Sequence, residues 1–223
     1  MRTMNQSLTE ENYLKAIYRL SQERKGKISL TAIADMLKVN AASVVEMIKK
    51  LAERKLISYE KTKGVRLTEK GVRIALSIVR NHRLWEAFLF QKLRYTWDAV
   101  HEIAEQLEHV KHPELADRLD QFLGHPVYDP HGDPIPESNG QIPHTFGTIL
   151  LKIDSGRSCQ GVGVKDTSPA FLQYLQQLHI GIGTKIKVLE RIAFDGSIII
   201  HVGKAEKKSV SRLFAESVLV NER

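Results

Sequence analysis

One cysteine in 223 residues, Cys159, leaves no partner for an intramolecular disulfide and cannot build a thiolate zinc cluster. The chain also lacks any run of 18 apolar residues, so no helix is expected to span a bilayer. Its start, MRTMNQSLTEEN, lacks the apolar segment of a secretory leader, and the expected compartment is the cytoplasm. Prolines are few, seven in all, and five of them crowd into residues 125–145. What remains is ordinary for a globular chain: 42% hydrophobic residues, enough for packed cores, and room for more than one domain.

The net charge of +7 is unevenly placed. Residues 1–75 hold 16 Lys and Arg against 8 Asp and Glu, whereas residues 76–223 hold 17 against 18. The whole positive excess lies in the first third, the footprint expected of a segment that faces phosphates.

Periodicity divides the chain. Ser7 or Thr9 is placed to cap a first helix, in which Tyr13, Leu14, Ile17, Tyr18 and Leu20 recur at helical spacing. Residues 28–60 then read as helix, short turn, helix, with Thr31 expected to cap the first and Asn40 the second. Ile57, Tyr59, Val65 and Leu67 flank the turn KTKG and predict a two-stranded wing. Helices are expected from Thr68 to about Tyr95, from Trp97 to Val110 and from Glu114 to Leu123. The proline-rich stretch from about residue 126 ends them. Beyond it the apolar runs TILLKI, KIKVLERI, SIIIHV and ESVLV predict a small β-barrel, with one helix at Pro169–Leu178 and a hairpin turn at FDGS.

The expected fold class is therefore mainly α with a small β part. A winged helix-turn-helix spans 1–73. A helical segment spans 74–143, including the proline-rich linker, and an SH3-like barrel spans 144–223.

The second helix of a helix-turn-helix enters the major groove of double-stranded DNA by its N-terminal end. Here that end presents Asn40, Ala41, Ala42, Ser43 and Glu46, with Lys49 and Lys50 following. Asn and Ser can hydrogen-bond bases, the alanines can pack on thymine methyls, and Glu46 can accept from cytosine. Lys61, Lys63 and Arg66 on the wing are placed for phosphates, which position the protein without reading sequence.

A second chemistry lies in HEIAEQLEH, residues 101–109, with two histidines and three glutamates. On a helix, His101, Glu105, Glu108 and His109 fan over only about 100° of surface. Upstream, His82 and Glu86 sit at i and i+4 on another helix. Imidazole and carboxylate turned inward from neighbouring helices are how bundles hold metal ions. Nitrogen and oxygen donors without thiolate suit Mn(II) or Fe(II), and also admit Zn or Co. HEIAE departs from the zinc-protease pattern, having Glu where the second His belongs, and no nucleophile–base set emerges. The chain is read as a non-enzyme.

EENYLKAIY, ADMLKVNAASVVEMIKKL, LTEKG, NHRLWEAFL, HEIAEQLEHV and DPHGDPIP, in this order, resemble the diphtheria toxin repressor family, which includes iron-dependent repressors and manganese transport regulators. The C-terminal part resembles that family's SH3-like, FeoA-type domain. The resemblance implies a homodimer that binds a palindromic operator when loaded with one or two Mn(II) or Fe(II) ions per subunit. Carried over by position, His82, Glu86 and His101 match one metal site; Glu105, Glu108, His109 and Asn12 match the other. The iron branch has cysteine at the position of Glu105 and methionine at Asn12. The manganese branch has a carboxylate at Glu105, aspartate at Asn12 and glutamate at Lys15. Glu105 therefore leans towards manganese. The iron branch also draws ligands from the SH3-like domain, which here points to Asp166 or Ser168. The implied outcome is a repressor of metal-uptake genes, in which the ion ties the first helix to residues 105–109.

Three rivals stay open: a winged-helix regulator of an organic ligand, a metalloenzyme built on the carboxylates, and an adaptor whose SH3-like domain binds proline-rich peptide. In the last, the internal linker itself is a candidate ligand of that domain.

Overall fold

A computed structural model describes residues 7–23, 26–112, 114–143, 147–166, 168–203 and 207–222. Contacts divide the chain into two compact units. The first takes the chain up to His82 together with 106–116 and 136–141; the second takes 83–105, 117–135 and the chain from Ile142 onward.

In the first unit, α1 (Leu8–Glu23) opens on a capping box. The Ser7 hydroxyl accepts the Glu10 N–H at 3.3 Å, and the Glu10 carboxylate accepts the Ser7 N–H at 2.8 Å. Ser7, rather than Thr9, is the cap. Helix α2 (Leu30–Leu37) begins at Ser29, whose hydroxyl accepts the Ala32 N–H at 3.1 Å. Thr31 was the expected cap, and the correction has a local cause. Ile28 is held extended, its carbonyl accepting the Val65 N–H at 2.9 Å, so the switch to helix falls on the next residue. Lys38, in the left-handed region at φ 53°, ends α2. Helix α3 (Ala41–Glu53) starts where expected, with Asn40 Oδ1 accepting the Ser43 N–H at 2.8 Å.

Tyr13, Leu14, Ile17 and Leu20 from α1 pack with Ile33, Val44, Ile48 and Leu51 in one buried core. Each fully buried aliphatic of this kind contributes about 1.5–3 kcal/mol. The wing is β1 (Ile57–Glu60) paired antiparallel with β2 (Gly64–Leu67), in the register Ile57↔Leu67 to Glu60↔Gly64. Gly64 has φ 76°, and a Cβ there would stand 2.5 Å from the Ile28 carbonyl oxygen. On β1, Tyr59 is 43% exposed, whereas Ile57 is buried.

Helices α4 (Glu69–Gln91) and α5 (Trp97–Leu107) contribute residues to both units, as does the next helix. Helix α4 stops short of Tyr95, because Arg94 turns left-handed at φ 61°. The second unit adds α6 (Leu115–Phe122), of which only residues from Asp117 belong to it, and a six-stranded antiparallel sheet. Its strands are β3 (Thr148–Ile149), β4 (Ser158–Val164), β5 (Lys185–Arg191), β6 (Ile198–Val202), β7 (Lys207–Val210) and β8 (Val218–Glu222), in the order β3-β8-β4-β5-β6-β7. The expected barrel is thus an open sheet among the described residues, with β3 and β7 at its edges.

The run TILLKI is only half strand. Leu150–Lys152 forms a 3-10 turn that buries Leu150 and Ile153, an i, i+3 pair that such a turn stacks on one side. Helix α7 (Pro169–Gln177) lies where expected, and α8 (Arg212–Ser217) was not expected. Ser211 caps it by accepting the Phe214 N–H at 3.1 Å. Among the described residues, no helix is long and apolar enough to cross a membrane.

Candidate metal centre

In the first unit, α1 presents Glu11 and Lys15 to the segment 108–111. Lys15 Nζ donates to Glu108 Oε2 at 2.6 Å and lies 3.3 Å from His82 Nδ1. His82 Nδ1 is itself 2.6 Å from Glu108 Oε2. Glu11 Oε2 is 2.6 Å from His109 Nδ1, and Glu11 Oε1 is 2.7 Å from Lys111 Nζ. The backbone of Glu108 is fixed too, its carbonyl accepting from Asn81 Nδ2 at 3.1 Å.

Glu108 Oε1 in this cluster, and Asn12 Oδ1 on α1, are buried without a hydrogen-bond partner. Buried acceptors are rarely left so, and each unpaired one costs about 1–3 kcal/mol. Glu108 Oε1 stands 3.5 Å from His109 Nε2, and the Glu11 carboxylate on His109 Nδ1 leaves Nε2 as the nitrogen that can ligate. A carboxylate oxygen and an imidazole nitrogen are donors that fit a divalent cation such as Mn(II) or Fe(II).

The second unit holds the remaining candidates. Glu86 is buried, with Oε1 3.0 Å from His101 Nδ1 and Oε2 3.5 Å from His131 Nδ1. His101 Nε2 is 3.5 Å from Glu105 Oε1. Glu86, Asp129 and His131, all buried, bring ligand atoms within 4.8 Å of one another. Asp129 Oδ1 accepts the N–H groups of His131 and Asp133 at 2.8 and 3.0 Å, and Arg83 Nε lies 3.7 Å from Asp129 Oδ2. His131 Nε2 is 3.2 Å from the Trp97 carbonyl. Burial pushes the Asp129 carboxyl up to about 8, with Glu86 and Asp133 adding to it. Burial opposes a charged His131, but the hydrogen bond and charge of Glu86 outweigh it and hold the imidazole at about 9.

Sequence reasoning missed Asp129 and His131 because they lie in the proline-rich stretch, read as a linker. That stretch is packed. The His131 carbonyl accepts the Val164 N–H at 2.9 Å, and a Cβ on Gly132 would stand 2.2 Å from the Gly163 Cα. The motif DPHGDP, with an acid and an imidazole two residues apart, was the available signal. Asp166 is exposed, its Oδ1 accepting the Ser168 N–H at 2.8 Å. No donor group of three or more among the described residues includes it.

On the helix-turn-helix, Ala41, Ala42, Ser43, Glu46 and Lys49 are exposed, as are Lys61 and Arg66 on the wing. Asn40 is exposed but engaged as the cap of α3. Lys63 lies 2.8 Å from Glu60, and Lys50 lies 3.3 Å from Glu10. Burial would raise the Glu10 carboxyl, but Arg54, the Ser7 N–H and Lys50 hold it below its ordinary value. Glu10 thereby ties α1 to the C-terminal end of α3.

A winged helix-turn-helix, buried acid–imidazole clusters and a six-stranded antiparallel sheet thus stand on one chain. Three family descriptions match in sequence: the iron dependent repressor N-terminal DNA binding domain over 7–65, its metal binding and dimerisation domain over 68–137, and the FeoA domain over 150–222. The chain belongs to the diphtheria toxin, or iron-dependent, repressor family. It is 34% identical to the iron-dependent repressor IdeR of Mycobacterium tuberculosis over 129 residues, 57% of this chain. The chain spans about half the length of the curated relatives it matches, 55% for IdeR. Its fold is similar to a solved manganese-dependent transcriptional repressor in complex with manganese (TM-score 0.81, 35% identity, 96% of this chain and 100% of that one). It is also similar to the manganese regulator SloR (TM-score 0.70, 38% identity, 96% and 98%).

Proposed function

We propose that the protein is a DNA-binding transcriptional repressor activated by a divalent metal ion, with Mn(II) the favoured ion and metal-uptake genes the regulated class. The observation that carries this reading is Glu108 Oε1, a buried carboxylate oxygen without a hydrogen bond, 3.5 Å from the ligating nitrogen of His109. The relatives named above are metal-dependent repressors of both the iron and the manganese kind. The carboxylate of Glu105 and the absence of any thiolate in these clusters favour the manganese reading.

Glu108 and His109 are the proposed ligands of the first centre, with Asn12 and Glu105 completing the sequence-derived set. His82, Glu86, His101 and Asp166 are the sequence-derived set for a second ion, to which Asp129 and His131 are now added. When bound, the ion supplies the positive charge that lets these acids converge. The chain's residues do the rest. Glu11 orients His109, Asn81 holds the Glu108 backbone, and Asn12 links α1, and with it the reading head, to the centre. Metal and DNA then strengthen each other's binding reciprocally.

Ala41, Ala42, Ser43 and Glu46 read bases, with Asn40 capping the helix that carries them. Lys49, Lys50, Lys61, Lys63 and Arg66 face phosphates. The proposed working form is a homodimer on a palindromic operator, for which exposed Leu93 and Phe122 offer apolar contacts. The proposed modules are 1–73, 74–143 and 144–223. The packing of Gly132 on Gly163 supports a linker held against the FeoA-type module.

The test is operator binding by the full chain, titrated anaerobically with Mn(II), Fe(II), Zn(II) and chelator at fixed salt, since phosphate-driven affinity falls steeply with ionic strength. Metal-dependent binding lost on chelation is expected. Binding indifferent to chelator would overturn the reading.

A further inference from the structure

The cluster on α1 already carries a cation of its own. Lys15 Nζ lies 2.6 Å from Glu108 Oε2 and 3.3 Å from His82 Nδ1. The Lys15 side chain is 19% exposed and that of Glu108 0%, so solvent screens the pair weakly. The two oxygens of Glu108 therefore have different surroundings. Oε2 meets the ammonium and the His82 imidazole, whereas Oε1 makes no hydrogen bond and stands 3.5 Å from His109 Nε2.

We propose that Lys15 is a built-in cation of this centre. It holds the place beside Glu108 that a second, closely paired divalent ion would take, and it orients Glu108 so that Oε1 faces the incoming one. The pocket of Glu108 and His109 therefore takes a single ion. This rests on the metal reading above. The reasoning is electrostatic. Paired ions in two-metal sites stand about 3.5–4 Å apart. A second dication that close would sit against a tethered ammonium whose repulsion is twice that between unit charges, in surroundings of low dielectric. A purely structural ion pair would share the Lys15–Glu108 distance but would not govern how many ions bind.

The test counts Mn(II) per subunit by equilibrium dialysis of the full chain and reads the electron paramagnetic resonance spectrum for exchange-coupled pairs. The wild type is expected to saturate without a coupled pair. Lys15→Glu is expected to take up one more ion per subunit and to show coupling. Lys15→Met, which keeps the aliphatic stem and loses the charge, is expected to take the extra ion at roughly tenfold higher concentration than Lys15→Glu, since ligand charge sets affinity. A coupled pair in the wild type overturns the inference, and that measurement stands even where Lys15→Glu does not fold. So does a Lys15→Met protein that binds Mn(II) with wild-type stoichiometry and spectrum up to saturation. Wild-type protein that takes up no Mn(II) sinks the metal reading and this inference together, an outcome distinct from binding that ignores Lys15.

Discussion

Glu108 in the first unit and Asp129 in the second are both buried carboxylates beside an imidazole, yet they are compensated differently. Glu108 has a lysine ammonium at 2.6 Å and keeps one oxygen unpaired. Asp129 spends one oxygen on two backbone N–H groups, has its nearest cation at 3.7 Å, and sits with Glu86 and Asp133 pushing its carboxyl up to about 8. One acid is neutralised by a tethered cation, the other by a proton. A divalent ion entering the first meets a prepared oxygen; entering the second, it must displace protons.

The largest effect that can break this comparison is at Glu108. Glu108→Ala takes the acid away from the Lys15 ammonium and so costs stability, and it is expected to lose metal-dependent operator affinity by more than about 100-fold. A mobility-shift titration with Mn(II) checks it, and an unchanged metal response would remove Glu108 from the centre. The second cluster is sharpened by pH. Asp129 near 8 and His131 near 9 are both protonated at pH 6, and an ion must displace both protons to be bound by both groups. Its affinity there should rise by up to about tenfold per pH unit for each proton, levelling off as pH passes 8 and then 9. Calorimetry in buffers of different ionisation enthalpy counts the released protons. Asp129→Asn should remove one of them, and an unaltered count would show that the acid takes no part.

Glu11→Gln comes next. It leaves a hydrogen-bond partner for His109 Nδ1 but removes the charge that makes Nε2 a better donor, and should weaken metal binding about 10–100-fold. Thermal stability should barely move; a collapse of stability instead would mean that Glu11 serves α1 packing, through Lys111, more than the centre.

The parts that were legible in the sequence depend on local pattern. Asn40 reads as a cap because the side chain, the helix start and the following apolar spacing lie within one turn. KTKG reads as a wing for the same reason. The parts that were not legible depend on contacts far along the chain. Asp129 and His131 look like linker residues until Gly132 packs on Gly163, which no window of ten residues can foretell. The SH3-like sheet was legible but its openness was not: TILLKI, apolar enough for a strand, turns after two residues to bury Leu150 and Ile153 together. Helix α8 was hidden by the β-rich runs on either side of it. Lys15 was legible only as a departure from the manganese branch, which has glutamate there. That its ammonium reaches Glu108, 93 residues away, needed the fold.

On the reading head the contrast is between contacts that hold and contacts that read. Lys61→Ala and Arg66→Ala should weaken binding to all sequences alike, each lowering the slope of log affinity against log salt by about 1. Ser43→Ala should instead change the preference among operator variants. A Lys61→Ala or Arg66→Ala protein with an unaltered salt slope would place that residue off the phosphates.

The smallest effect separates the two proposed starts of α2. Ser29 Oγ accepts the Ala32 N–H at 3.1 Å, whereas Thr31 lies inside the first turn and is exposed. An unsatisfied N–H at a helix start costs about 1 kcal/mol, so Ser29→Ala should lower stability by that amount and Thr31→Ala by less than about 0.5 kcal/mol. Because Ile28 next door pairs with Val65 of the wing, the loss at Ser29 should also loosen β2, and hydrogen exchange at the Val65 N–H should quicken in Ser29→Ala alone. Equal effects of the two substitutions would return the cap to Thr31 and detach the wing from the start of α2.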